Sequence, residues 1–163
     1  MSHEQLIIRR ATQTDTNAIL ARWAEFQAFH ARLDPAYATA SGARAKFASH
    51  LRQLMRSRKS RVFVAVTGGG RVIGFLTVSE AMKPPVLSHR RHGFLMSMGV
   101  AARCRRHGVG RALVRAAENW FRERRLPEME LMVATANRAA CGFWGALGFR
   151  TYMHRMRRRI RQR

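Results

Sequence analysis

A chain of 163 residues with 47% hydrophobic side chains has material for one packed core and is too apolar for a disordered polymer. No apolar run approaches the ~20 residues of a membrane span, and the opening Met1-Ser2-His3-Glu4-Gln5-Leu6 lacks a secretory leader's basic start and long apolar centre. The expectation is a single cytoplasmic domain over residues 1–163, with a formal charge of +22 from 31 basic and nine acidic residues and a basic tail over about 157–163.

Leu6 to Arg10 reads as a first strand, and Thr12 to Thr16 supply helix-start chemistry, with Asp15 suited to the first turn. Ile19, Leu20, Trp23, Phe26 and His30 recur at helical spacing up to Asp34-Pro35, and Phe47, Leu51, Leu54 and Met55 mark a second amphipathic helix. Val62 to Val66 and Val72 to Val78 read as a hairpin around Thr67-Gly68-Gly69-Gly70. Ser79 to Arg91, containing Pro84-Pro85, reads as a connection, and Phe94 to Val100 as the fourth strand. A third helix is expected from about Gly108 to Arg125, a strand over Glu130 to Ala134, a short helix over Asn137 to Leu147 ended by Gly148, and a last strand from Phe149 to about Met156.

The stretch from Val100 to Gly110 carries the strongest chemical signal. A strand runs into Arg105-Arg106-His107-Gly108-Val109-Gly110, and a helix opens at once. Glycines let the backbone approach a ligand, the helix's first N–H groups point outward with partial positive charge, and arginines add attraction for phosphate. Cys104 and Cys141 make neither a disulfide framework nor a zinc site, so no metal is expected.

Arg105-x-x-Gly108-x-Gly110 after a strand resembles the acetyl-CoA motif of the GCN5-related N-acetyltransferases (GNAT). Asn137-x-x-Ala140-x-x-Phe143-Trp144-x-x-x-Gly148-Phe149 resembles that family's C-terminal motif, and the similarity runs from Leu6 to Met156. The resemblance implies an α/β (α+β) fold: three αβα layers around a mixed, mostly antiparallel sheet of six to seven strands, splayed between strands four and five. It implies acetyl-CoA as cosubstrate, with pantetheine pairing along Met98, Gly99 and Val100 like an added strand. Gly99 suits a bulge aiming an N–H at the thioester carbonyl, or else a simple kink. The pyrophosphate would rest on Arg106, His107, Gly108, Val109 and Gly110, with Arg105 or Arg111 adding charge. Asn137 would hydrogen-bond the cofactor, a role compatible with capping its own helix, and Phe143 and Trp144 would flank the thiol.

Acetyl transfer needs a neutral amine near the thioester, stabilisation of the developing oxyanion, and a proton for the leaving thiolate. The position where the family often carries a tyrosine acid is Trp144, whose indole is no useful acid. Where ribosomal-protein acetyltransferases commonly carry a glutamate, this chain has Met132, which argues against that subtype. The base candidates are Glu80 and His92, with His89, Glu25 and His30 behind them, and Tyr152 is a poor second choice for the acid. Trp23, Phe26, Phe29 and Tyr37 are read either as walls of an acceptor pocket or as core. The strongly positive surface disfavours cationic acceptors and tilts towards anionic or zwitterionic amines. A second function class fits the charge and the arginine tail over 155–163: a non-catalytic nucleic-acid- or ribosome-associated protein on the same scaffold, touching nucleic acid through its arginine-rich surface. Homodimers are common in the resembled family.

Overall fold

Ile7–Arg10 forms strand β1 in a computed structural model that describes residues 5–158 and 160. The chain divides into two units, Met1–Met132 and Val133–Arg163. The first continues through helix α1 (Thr16–Leu33), helix α2 (Ala43–Arg56), strands β2 (Ser60–Val66), β3 (Val72–Met82) and β4 (Arg91–Val100), helix α3 (Val109–Glu123) and strand β5 (Met129–Leu131). The second contains helix α4 (Arg138–Gly145).

The sheet has the order β1-β2-β3-β4-β5, with antiparallel neighbours except for the parallel β4–β5 pair. Alternation along the strands decides which helix each face receives. Val62, Val64, Val66 and Phe75 join Ile19 of α1 and Leu51 and Leu54 of α2 in one core cluster. On the other face, Gly74 lies against Val109 and Leu113 of α3, both of which are buried. Fully burying a side chain of this size contributes roughly 1.5–3 kcal/mol, so α3, with Leu113, Val114, Trp120 and Phe121 inside, is fixed by its apolar stripe. Helices on both faces give the expected three layers. Among the described residues, no helix is long and apolar enough to cross a membrane.

Three expectations need correction. The sheet has five strands among the described residues, not six or seven, because Phe149 to Met156 forms none. A strand exists only through ladder partners. This segment has none and leaves Tyr152, Met153 and Met156 67–92% exposed among arginines. The supposed connection over Ser79 to Arg91 is strand at its two ends and a connection only over 83–90: Glu80, Ala81 and Met82 pair with Gly93, His92 and Arg91, and Lys83 N–H closes the ladder on Arg90 C=O at 2.8 Å. The charges that read as loop are paired, since Glu80 accepts from Arg124 at 2.6 Å and from Arg91 at 3.1 Å. Finally, β5 is shorter than expected and ends at Leu131 rather than Ala134.

The entry into α1 depends on one buried carboxylate. Asp15 is 5% exposed and accepts two hydrogen bonds from Arg9 (2.7 and 2.8 Å), one from Thr12 N–H (2.7 Å) and one from the Thr12 hydroxyl (3.1 Å). The Arg9 bonds, helped by Thr12 and opposed by burial, hold its carboxyl below the usual carboxylate range. A depressed folded pKa means stability that is present above the unfolded value of about 3.9 and lost as pH falls through the folded one. Asp15→Asn should therefore cost about 2 kcal/mol at pH 7 and less at about pH 3, below the unfolded value, as measured by urea unfolding at the two pH values. An equal loss at both would show that the carboxylate's charge contributes nothing.

Candidate active site

The end of β4 and the start of α3 are joined by a loop whose backbone is bent twice into the left-handed region. Arg106 has φ 65° and Gly108 has φ 79°. The second bend places Gly108 as the N-cap of α3, and buried Val109 anchors the helix beneath it. The first helical hydrogen bond runs from Ala112 N–H to Gly108 C=O at 2.9 Å. The N–H groups of Val109, Gly110 and Arg111 therefore lie ahead of the helix's own ladder, at its positive end. Arg105 Nε donates to Val100 C=O at 3.1 Å and His107 Nδ1 bonds Arg105 C=O at 2.7 Å, which tie both side chains back onto the loop. Free N–H groups at the positive end of a helix make this loop chemically suited to an anion.

Beside it, β4 offers an open edge. Pairing with β5 covers only Gly93, Phe94 and Leu95, so Met96 to Val100 has no strand partner on that side among the described residues. On the other side Met98, Gly99 and Val100 are in register with Leu76, Phe75 and Gly74. The expected splay is thus visible as a three-residue contact followed by free backbone that an extended amide chain can join. The ladder irregularity falls at Met96, between the Thr77–Ser97 and Val78–Leu95 pairs, and not at Gly99. Gly99 has a different reason: a Cβ there would stand 2.7 Å from the Phe75 ring.

The two base candidates are not brought together. Glu80 is in register with Gly93, whose α-carbon lies beneath the Phe121 ring, so Glu80 belongs to the α3 face and is bound to Arg124 and Arg91. His92, one residue away along β4, belongs to the opposite face. It is 6% exposed, with Nδ1 3.4 Å from Arg90 C=O and Nε2 3.6 Å from Glu130 Oε2. Sequence reasoning missed Glu130, which Lys83 also binds at 2.9 Å, because the glutamate joins His92 only through the parallel β4–β5 pair. Among the reserve candidates, Glu25 pairs with Arg22 at 2.9 Å, and His30 Nδ1 bonds Phe26 C=O at 2.9 Å. The His30 ring packs against Phe26, Phe29 and Tyr37, while Trp23 stacks on Phe47 at 4.3 Å. These aromatics are half-buried or exposed, neither sealed core nor bare surface.

In the second unit, Asn137 Oδ1 caps α4 by accepting from Ala140 N–H at 3.1 Å. Phe143, Trp144 and Phe149 form an edge-to-face series at 4.8 and 5.3 Å. Tyr152 is 67% exposed, so core packing does not explain it.

Residues 20–149 match the model of the acetyltransferase (GNAT) family. The chain belongs to that family. Acetyl-CoA is the cosubstrate that this membership implies. Over 93 residues the chain is 33% identical to an aminoglycoside N(6')-acetyltransferase type 1 of Klebsiella aerogenes, an overlap of 57% of this chain and 61% of that protein. The chain thus spans about three fifths of that curated relative's length. Its fold is shared with a tetramutant of the BH1408 protein from Bacillus halodurans (TM-score 0.86, 20% identity, 94% of this chain and 99% of that one). It is shared too with the aminoglycoside N-acetyltransferase AAC(6')-Iy in complex with CoA (TM-score 0.71, 21% identity, 98% and 97%).

Gly108 has open space for a side chain, but its left-handed φ is costly for any other residue except asparagine or aspartate. Gly108→Val should lower stability by about 1–2 kcal/mol and weaken acetyl-CoA binding at least tenfold. Thermal unfolding and titration calorimetry measure the two effects, and unchanged affinity would remove the loop from the cofactor site.

Proposed function

We propose that this chain transfers the acetyl group of acetyl-CoA to a primary amine by direct attack on the thioester. The single observation behind this reading is the doubly bent loop feeding α3 beside the unpartnered edge of β4, within a chain of the GNAT family. When bound, acetyl-CoA supplies the activated thioester. Val109, Gly110 and Arg111 hold phosphate oxygens with their N–H groups, and Met98 to Val100 hold the pantetheine amides. Backbone N–H near the Met96 irregularity stabilises developing oxyanion charge, which makes a special side chain unnecessary there. The motif over 137–149 supports assigning Asn137, Phe143 and Trp144 to the cofactor as well.

His92 is the better base of the two candidates. Glu80 is committed to two guanidinium groups, whereas His92 has Glu130 to orient its ring. It lies four residues before Met96, about 13 Å along the strand at 3.3 Å per residue, beyond the reach of one water, so it takes the amine's proton through a chain of waters. His92→Ala should reduce kcat by about 10²-fold with little change in KM, while Glu80→Gln keeps kcat within about threefold. A fully active His92→Ala would mean that the amine needs no base.

The acceptor is an anionic or zwitterionic amine. The resemblance implies an acceptor opening at the first helical region and the loop before the fourth strand, and here the helical segment sets Arg22, Arg32, Arg44, Lys46, Arg52 and Arg56 against Glu25 and Asp34. Both acids are engaged, Glu25 with Arg22 and Asp34 with Ala36 N–H. An aminoglycoside, the acceptor named for the Klebsiella relative, carries several positive charges and would meet repulsion here. Thiol release with acidic peptides should exceed that with kanamycin or spermidine by at least tenfold in kcat/KM. The opposite ranking would overturn this acceptor class.

A further inference from the structure

Across the sheet from α3 lies a concavity of about 530 Å³ that the cofactor cradle does not use. Arg9 on β1, Arg22 on α1, Arg71 beside the β2–β3 turn and Arg103 after β4 all line it, and Val72 and Ile73 contribute apolar surface. The α1 side is kept open by small residues, Ala18 and Ala21, at helical spacing. Asp15 supplies the sole carboxylate in the lining, and it is already bound by Arg9 and Thr12. Arg22 reaches Glu25, an exposed partner of little electrostatic worth. Neither Arg71 nor Arg103 has a carboxylate partner among the described residues.

Four guanidinium groups around one hollow repel one another, and two of them stand without a counter-charge among the described residues. An isolated arginine on a convex surface is relieved by water and salt. Several facing a shared concavity bordered by protein focus their field into it, which favours a ligand carrying more than one negative charge. The volume is that of a small-molecule site and too small for a macromolecular surface. Planar, forked donors suit phosphate oxygens over a single carboxylate.

We propose that this cavity binds a small polyphosphorylated anion, at a site separate from the acetyl-CoA cradle. Arg71 and Arg103 are exposed and can be reversed in charge without opening the core. Ala18→Phe would fill the hollow while leaving every charge in place. The probe is inorganic pyrophosphate, titrated at 150 mM salt into protein already saturated with CoA. The expected result is saturable one-to-one binding, weakened at least tenfold by Arg71→Glu/Arg103→Glu and by Ala18→Phe, with CoA affinity unchanged in both variants. Pyrophosphate binding that disappears once CoA is loaded would assign the arginines to the cofactor and overturn the proposal. Binding that survives Ala18→Phe, or a single-stranded oligonucleotide that binds with the same sensitivity to the arginine reversal, would overturn it in favour of a diffuse nucleic-acid surface. Because CoA binding is read in the same samples, loss of the acetyltransferase reading and loss of this site give different results.

Discussion

The close approach of β4 to both helical layers is the constraint on which the rest of the first unit depends. A Cβ at Gly93 would stand 2.6 Å from the Phe121 ring of α3, and one at Gly99 would stand 2.7 Å from the Phe75 ring on the α1–α2 side. One strand is thus stripped of side chains at two points, on opposite faces, where large aromatics press against it. Phe75 is fully buried and Phe121 nearly so, so neither ring can yield without opening the core. With β4 held from both sides, its last residues deliver the chain at a fixed angle to the Ala102–Cys104 turn and the start of α3. The geometry of the loop that leads into α3 is inherited from the packing of the sheet.

That same packing explains how a strand can keep one edge free. β3 pairs with β4 along almost its whole length, so the sheet does not need β5 to hold β4 in place. β5 touches only three residues, and the backbone beyond them can accept a ligand. An unpaired strand edge is ordinarily an aggregation hazard. The same unmet hydrogen bonds are capacity for an extended ligand, and backbone strain appears nearby at Arg106, where a non-glycine residue adopts a left-handed φ.

Much of this was readable from the residues, and the failures share a cause. Gly108 and Gly110 announced a tight turn into a helix, which Gly108 makes as the left-handed N-cap of α3, and α3 followed from Leu113, Val114, Ala117 and Phe121. Local pattern, however, does not contain partners. Glu80 and Arg91 looked like loop because their charges are cancelled by each other and by Arg124, 33 residues further along the chain from Arg91. Phe149 to Met156 looked like strand because alternation describes a residue's taste for a sheet and not the presence of one. Gly99 was read as a bulge, whereas its smallness answers Phe75 from another strand, and the irregularity sits at Met96. His92 gained its glutamate through β5, a contact no spacing in the sequence reveals.

The charge balance follows the same logic of partners. Asp15, Glu25, Glu80, Glu118, Glu128 and Glu130 each accept an ion pair, and Asp34 caps a turn, so seven of the nine acidic residues are engaged in internal ties. With 31 basic residues against nine acidic ones, most of the positive charge has no carboxylate to offset it. A surface of this kind selects by repulsion before it selects by contact, since a polycation must approach against the whole field while an anion is drawn along it. Acetyl-CoA is itself polyanionic, so on the proposed reading the positive field that disfavours cationic acceptors would also recruit the cosubstrate. On that reading one excess of arginine serves both halves of the reaction, and salt should weaken encounter with each of them together.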